Sequence, residues 1–530
     1  MHKPTLSPWT ISLAALALFT AACKGGGGDD EVGDETAGTE TATDTADDST
    51  STTTEGTTTT TTTTTTDDTG GCTGLGCDCD GSAGSCDPGL SCVDGMCSQT
   101  LCGDGEVQGE EQCEDGNDID GDGCDNDCTF TAVAALDLGE HHTCALIDGG
   151  AVRCWGRGEF GQLGYGNANI VGDDEYPSDV GDVLLPGPVV KLSLGGQHSC
   201  AIFQDGGLRC WGLNDRGQLG YGNLSNLGDD ENLAGLAAIS VPPAIEIQVG
   251  SRHSCARVGN GEVRCWGFNE QGQLGYGNTM DMVPVLEMLL PGGPVSLGAV
   301  TSRLEAGSWH SCVNFVDGGV RCWGRNDNGQ LGYGNLENIG DNELPAAAGL
   351  VSLVPANLPP NTEIVDVALG GNHSCAVLSS GSVLCWGANG SGQLGLGNAN
   401  TIGDDEVPSS QLPVGLPNAA AQLALGLNHS CVLLVDGNVM CWGDSSVGQL
   451  GYGNTDNIGD DEVPMDAGLV DLGGKATMIA AGANHTCVLM ENTDVRCWGQ
   501  NNYSQLGLGS SVTIGDNETP AEASPVSVLD

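Results

Sequence analysis

Seven times along this chain two cysteines stand ten residues apart, with a tryptophan directly after the second. The stretch from His198 to Gly212, "HSCAIFQDGGLRCWG", is one copy. The pairs are Cys144 and Cys154, Cys200 and Cys210, Cys255 and Cys265, Cys312 and Cys322, Cys375 and Cys385, Cys431 and Cys441, and Cys487 and Cys497. Inside a pair, two short apolar runs flank a turn signal such as Gln204-Asp205-Gly206, Val316-Asp317-Gly318, Gly259-Asn260-Gly261 or Val435-Asp436-Gly437. An x-Asp/Asn-Gly triplet between short strands reads as a β-hairpin loop. Loop length then decides the chemistry. A two-residue loop sets Cys200 opposite Trp211 and sends the two sulfurs to opposite faces. A three-residue loop, with Gly206 left-handed in a bulge, sets Cys200 opposite Cys210 at a Cα separation of about 4.5 to 5.5 Å, which a disulfide spans. Sevenfold recurrence in an exported chain selects the second loop, so seven disulfides inside hairpins are expected.

The repeating unit is longer than the hairpin. His-Ser/Thr-Cys triplets start at His142, His198, His253, His310, His373, His429 and His485; the six steps cover 343 residues, about 57 each. Each Cys-Trp-Gly is followed by "GQLGYGN" or a close variant, ending at Asn167, Asn223, Asn278, Asn335, Asn398 and Asn454, and the seventh drifts to "SQLGLGS" ending at Ser510. With 86 glycines and 4% aromatics, short strands and many turns are favoured. A period of this size marks a solenoid or a propeller.

The motif G-x-x-H-S-C-A … G-x-V-x-C-W-G-x-N-x-x-G-Q-L-G resembles the repeat of the regulator of chromosome condensation family, over about 400 residues. The resemblance implies an all-β fold, a seven-bladed β-propeller at residues 131–530. In such a ring Trp211 and its counterparts supply area buried between blades, Leu219 packs, Gln218 bonds turn backbone, and the repeated histidines serve as structural hydrogen-bonding groups. The C-terminal "SPVSVLD" is expected to complete a sheet near the first repeat and close the ring. The family's eukaryotic namesake is a guanine-nucleotide exchange factor that docks on chromatin, so the resemblance also offers an exchange-factor reading.

Residues 1–22 read as a signal peptide: His2 and Lys3 precede the short apolar run "ISLAALALFTAAC". Cys23 after Thr20-Ala21-Ala22 resembles a bacterial lipoprotein cleavage site, where the cysteine is lipidated, although Thr20 stands where Leu is usual. The alternative is an ordinary signal peptide cut nearby. Lys24 in place of Asp removes the signal for inner-membrane retention, which points to an outer-membrane or cell-surface lipoprotein. Residues 23–71, with ten consecutive threonines from Thr57 to Thr66, bury too little apolar surface to order and read as a disordered tether. Residues 72–128 form a cysteine-rich module: Cys72, Cys77, Cys79, Cys86, Cys92 and Cys97, then Cys102, Cys113, Cys124 and Cys128. The second group resembles a small repeat of myxobacterial surface proteins. Removing Cys23 from 25 cysteines leaves an even number, as a disulfide framework requires.

Within that module Asp118, Asp120 and Asp122, followed by Gly123, match the first half of a calcium loop. The twelfth position is Thr129 rather than Glu, and flanking helices are missing. The segment therefore reads as an acidic disulfide knot, with a weak extracellular calcium site as the alternative; calcium is the one cofactor candidate. A second acidic feature follows "GQLGYGN": Asp173-Asp174-Glu175, Asp229-Asp230-Glu231, Asp404-Asp405-Glu406 and Asp460-Asp461-Glu462, softened to Asp341-Asn342-Glu343 and Asp516-Asn517-Glu518. These loops read first as solubilising turns, and second as a surface for calcium or a cationic partner.

A net charge of −56 repels nucleic-acid phosphates and anionic lipid, so no nucleic-acid partner is expected. No G-x-S-x-G, H-E-x-x-H or phosphate-binding glycine loop occurs, and every histidine after the signal except His141 belongs to the repeat. The sequence thus points to a monomeric, non-enzymatic binding propeller, held to a membrane by its lipid and recognising an extracellular or periplasmic protein or glycan. The inserts at 290–300 and 351–361 are the expected recognition segments. An enzyme built on the propeller is the remaining alternative.

Overall fold

The structure, a computed structural model, describes residues 91–93, 96–98, 113, 130–283, 293–359 and 361–529. The signal segment, Cys23, the tether, most of the cysteine-rich module and the loop of Asp118, Asp120 and Asp122 lie outside the described residues. The chain divides into two units, residues 1–99 and 100–530. In the first unit β1 (Ser91–Val93) and β2 (Met96–Ser98) form an antiparallel hairpin with Cys92 opposite Cys97.

Seven three-stranded antiparallel sheets make up the described part of the second unit, each built from consecutive strands. Blade 1 is β3 (Val133–Leu138), β4 (His142–Ile147) and β5 (Val152–Gly156), and blade 2 is β6 (Val189–Leu194), β7 (His198–Phe203) and β8 (Leu208–Gly212). Blade 3 is β9 (Ala244–Val249), β10 (His253–Val258) and β11 (Val263–Gly267); blade 4 is β12 (Thr301–Ala306), β13 (His310–Phe315) and β14 (Val320–Gly324). Blade 5 is β15 (Ile364–Leu369), β16 (His373–Leu378) and β17 (Val383–Gly387); blade 6 is β18 (Ala420–Leu425), β19 (His429–Leu434) and β20 (Val439–Gly443). Blade 7 is β21 (Ala476–Ala481), β22 (His485–Met490) and β23 (Val495–Gly499). First strands of neighbouring blades touch all the way round, with β21 meeting β3, so they line the axis of a closed seven-bladed propeller.

Middle strands show no polar-out alternation. All six residues of β7, His198 to Phe203, are buried, because blades stack on both faces of each sheet. The hairpin loop after β7 has three residues, Gln204 to Gly206, closed by Phe203 N–H to Gly207 O at 3.0 Å and Gly206 N–H to Phe203 O at 2.9 Å. Gly206 is left-handed at φ 78°, a conformation open to glycine at little cost. The register sets Cys200 opposite Cys210, and the same holds in every blade. All seven pairs are disulfides, with Cα separations of 4.0 to 4.1 Å.

A fourth edge is added to each blade by one backbone bond. Val183, Ile239, Val295, Val351, Val414 and Val470 donate to the first residue of the third strand in blades 1 to 6. The C-terminal segment does the same for blade 7, through Val526 N–H to Val495 O at 2.8 Å. It therefore completes the last blade's sheet, next to the first repeat, as expected, and adds no strand to the first repeat's own sheet. It reaches blade 1 by side contacts, with Arg153 Nη1 donating to Val528 O at 2.6 Å and Ser178 N–H to Ser527 O at 3.1 Å. Each repeat already supplies three strands of its own sheet, so the ring closes by face packing rather than by a shared strand. Among the described residues no helix is long and apolar enough to cross a membrane.

Replacing Cys255 and Cys265 together by alanine is expected to lower unfolding free energy by about 2.5 kcal/mol, the chain-entropy value for so short a loop. Urea unfolding measures it, and an unchanged midpoint would mean that the hairpin is fully specified without its sulfurs.

Candidate functional site

The repeated polar residues converge between blades. Each histidine Nε2 meets the Ser or Thr hydroxyl of the next blade at 2.8 to 3.1 Å: His142 to Ser199, His198 to Ser254, His253 to Ser311, His310 to Ser374, His373 to Ser430, His429 to Thr486 and, across the closure, His485 to Thr143. Each hydroxyl donates in turn to the backbone carbonyl of the glutamine one blade back, as in Ser199 to Gln162 O at 2.9 Å and Thr143 to Gln505 O at 2.9 Å. The hydroxyl's one hydrogen is thereby used, so its oxygen accepts from histidine and the imidazole is protonated on Nε2. The indole of the same blade's tryptophan donates to the same carbonyl, Trp211 to Gln162 O at 3.1 Å and Trp155 to Gln505 O at 3.0 Å. The glutamine side chain folds back on its own turn, Gln162 Oε1 accepting from Phe160 N–H at 2.9 Å.

These groups are sealed. All seven histidines and all seven tryptophans have no exposed surface. Burial pushes His142, His198, His310 and His373 down to about 3 and His253 and His429 to about 4, and holds His485 well below its ordinary value. The histidines that a motif scan would offer for catalysis are thus neutral fasteners with no route to solute. Glycine makes the fit possible: a Cβ on Gly139 would collide with the His142 ring and the Gly195 carbonyl.

What solvent reaches differs between the two ends of the ring. At the end where the first strands finish, the acidic loops project. One oxygen from each of Asp173, Asp174 and Glu175 lies within 4.8 Å of the others, as do those of Asp229, Asp230 and Glu231, of Asp404, Asp405 and Glu406, and of Asp460, Asp461 and Glu462. A shallow hollow of about 430 Å³ lies over the first triad, bounded by Asn169 and Ile170. Partial burial, a hydrogen bond with Asp405 and the charges of Asp404 and Asp405 push Glu406 up to about 7; Glu175, Glu231 and Glu462 are raised by the same causes. These triads have the donor type a hard cation takes. The loop of Asp460, Asp461 and Glu462 also braces the preceding blade, through Asn398 N–H to Gly459 O at 3.2 Å, so its position has a structural cause. Blade 3 lacks the triad and presents Asp281, paired with Arg216 at 3.1 Å.

At the opposite end lie the hairpin turns and the starts of the first strands, where Val190, Ile245, Val300, Val316, Val365 and Val435 are exposed. The insert beginning at 290 is part framework: Val295 and Leu297 are buried, while Val300 is exposed, and 284–292 lie outside the described residues. The second insert behaves alike, Val351 and Leu353 being buried and Ala356 and Asn357 exposed. The sequence reading did not find a group of charged residues along the axis, Lys191, Glu246, Arg303, Glu305 and Asp366. Its signal was present: the third first-strand position, charged in blades 2 to 5, is Ala, Gln or Met in the other blades, and the fifth, Glu305 in blade 4, is Ala in blades 5 to 7.

Thr143→Val, nearly isosteric, removes the hydroxyl that joins blades 7 and 1 and leaves His485 without its acceptor. A loss of about 2 to 3 kcal/mol is expected for the orphaned buried groups, read by chemical unfolding. Acid tests the whole ring. Because the folded state holds these histidines below their unfolded value of 6.5, their contribution is complete above about pH 6.5 and drains as pH falls toward 3 to 4. Asp137, raised to about 7 by burial, and the raised Glu305 and Asp366 have the opposite sign, their contribution being complete below the unfolded carboxylate value and draining as pH rises. They offset part of the change, as do the raised loop carboxylates, which solvent screens, and the seven sealed histidines outnumber the buried carboxylates. Melting temperature is expected to fall between pH 7 and 4.5, with net proton uptake on unfolding.

Comparison with known proteins gives one consistent match. The family model of the regulator of chromosome condensation (RCC1) repeat matches residues 149–202, 260–313, 317–377, 380–433 and 436–489. A second model of the same repeat matches 130–162, 189–218, 244–273, 302–330, 364–393, 420–449 and 478–505. Residues 85–129 match a domain of unknown function, DUF4215. The ultraviolet-B receptor UVR8 of Arabidopsis thaliana is 31% identical over 385 residues, covering 72% of this chain and 80% of that protein. The E3 ubiquitin-protein ligase HERC2 of Mus musculus is 28% identical over 354 residues, 65% of this chain, and the chain spans only 7% of that protein's length. Among solved structures, yeast RCC1 (Prp20) bound to Kap60 superposes with a TM-score of 0.52 at 20% identity, covering 73% of this chain and 84% of that one. Human WBSCR16 gives 0.54 at 19% identity, covering 69% and 93%.

Proposed function

The chain belongs to the regulator of chromosome condensation repeat family, and on that premise we propose that it is a non-enzymatic recognition propeller. In this reading it is exported, held at the outer membrane or cell surface by lipidated Cys23, and displayed as a monomer on its threonine-rich tether. It captures an extracellular or periplasmic protein or glycan through blade-specific loops.

One observation carries the reading: the histidine, tryptophan and cysteines shared by all blades are spent inside the ring, while the loops that differ between blades lie on its ends. Histidine, tryptophan and both cysteines of every repeat are buried. The acidic loops, by contrast, are full triads in four blades, softened in two and replaced at Asp281 in blade 3. A rigid frame with divergent loops suits recognition. The relatives also bear unlike names, among them a light receptor and a ubiquitin ligase, in keeping with one frame hosting many tasks.

An exchange-factor activity is the second reading. A solved relative, Prp20p from Saccharomyces cerevisiae, is described by its binding to Gsp1p and histones. That activity needs a cytosolic GTPase, whereas the apolar segment before Cys23 favours export.

Purified full-length protein is expected to retain a surface-extract component that is lost when Asp404, Asp405 and Glu406 become Asn, Asn and Gln, or when Val316 and Val435 become Ser, while melting temperature is unchanged. Nucleotide exchange on a small GTPase is expected to stay at background; stimulation would favour the second reading. Intact mass of native material, reduced and non-reduced, should show a lipid on Cys23 and the loss of two hydrogens per disulfide.

A further inference from the structure

The axis of the ring ends in a shaped hollow. A void of about 110 Å³ lies where the first strands finish. Its floor is apolar, with Leu138, Leu194, Val249 and Leu425 all buried. Its rim is formed by the residue two places beyond each strand end, and there the blades differ. Blades 1, 3 and 4 contribute Glu140, Ser251 and Ser308, whereas blades 6 and 7 contribute Leu427 and Ala483. One side of the rim is therefore polar and the other apolar.

Glu140 is held across that rim. The buried Ser251 donates its hydroxyl to Glu140 Oε1 at 2.7 Å. Blade 2 lies between the two, and its rim residue is Gly196; a Cβ there would come within 2.9 Å of the same oxygen. Leu427 overlies Gly371 in a similar way, since a Cβ on that glycine would meet Leu427 Cδ1 at 2.6 Å. Backbone bonds already join blades 1 to 3, Glu140 N–H to Gly195 O at 3.2 Å and Gly196 N–H to Gly250 O at 3.3 Å. Blade registration thus does not account for the reach of the Glu140 side chain.

The carboxylate also lacks a countercharge. Glu140 has no ion pair with any described residue. The arginines beside this turn, Arg157 and Arg252, are engaged by Glu159 and Asp215. His141 is neutral at pH 7, because burial lowers its pKa from 6.5.

Size and polarity narrow the occupant. The hollow is well under the roughly 300 Å³ at which pockets for drug-sized molecules begin, so it takes one side chain rather than a whole ligand. An anion is repelled by Glu140 and by a chain of net charge −56. A bare divalent ion takes at least six oxygen ligands, and Glu140, Ser251 and Ser308 above an apolar floor do not supply them. A cation beside a short aliphatic group has the matching layout, with the apolar part on the floor and the charge at the rim. One residue farther out stand Gln197, Asn372, Asn428 and Asn484, all half-buried. Their side-chain amides both donate and accept, as peptide groups require.

We propose that the axial hollow captures the free amino terminus of a peptide or protein whose first residue is aliphatic, with the α-ammonium on Glu140 and the side chain on the apolar floor. This site goes beyond capture by the outer loops and holds or fails whatever those loops bind.

Ligand-observed NMR titration of purified full-length protein tests it, with the C-terminal amide of leucyl-glycyl-glycine as probe. Comparators are the N-acetylated probe, the amide of triglycine, and calcium. One probe per chain is expected to bind. Its affinity should hold steady up to about pH 7 and fall as the α-amine loses its proton near about pH 8. N-acetylation or Glu140→Gln should lower affinity at least tenfold, and triglycine should bind several-fold more weakly. Ala483→Leu, which fills the mouth, should abolish binding, while both variants keep the parent's melting temperature. Absence of saturable binding overturns the proposal. So does an N-acetylated probe that binds like the free one, or a Glu140→Gln variant that binds like the parent, which would place the ammonium on the acidic loops. Full displacement by equimolar calcium also overturns it, by marking the hollow as a metal site.

Discussion

A hydroxyl on the second strand of every blade fastens it twice to the blade before. It accepts from the histidine Nε2–H of that preceding blade and donates to the glutamine carbonyl of the same repeat, which also takes the indole N–H of the hydroxyl's own blade. Three donors and acceptors from separate parts of the ring meet where water is absent. Removing any one leaves the others buried and unpaired, at a cost above the net worth of the bond itself. Seven such junctions make the ring all-or-none: the last, His485 to Thr143, forms only if the preceding six have set the angle between blades.

The disulfides do a different job from the junctions. Each lies inside one hairpin and ties residues already opposite in the register, so it restricts the unfolded chain and has no part in closing the ring. Inter-blade order comes from the relay, the tryptophans and the first strands. Acid and reductant therefore attack separate layers of the same architecture, protonation the joints between blades and reduction the hairpins within them.

Short-range features were legible in the residues. The Gln204-Asp205-Gly206 triplet and the ten-residue spacing together define a three-residue loop and a cysteine opposite a cysteine, because register follows from turn length. Histidine recurring once per repeat, without a second ligand, was readable as a structural group. Longer-range features were not. "SPVSVLD" has the look of a ring-closing strand, yet which sheet it joins depends on whether the first repeat's edge is already occupied, and Val183 occupies it. The insert from 351 reads as one recognition segment, but Val351 and Leu353 are buried as framework and only the following residues face solvent. The two halves have similar composition and differ only in what packs on them.

The sequence by itself determined the number of blades, the hairpin register and which repeated residues serve as structural groups, since each rests on spacing within about sixty residues. Only the tertiary structure decided that Lys191, Glu246, Arg303, Glu305 and Asp366 share one side of a lumen. These residues are separated by whole repeats, and only closure of the ring brings them together. Partial burial then strengthens the fields between these charges, because less water lies between them.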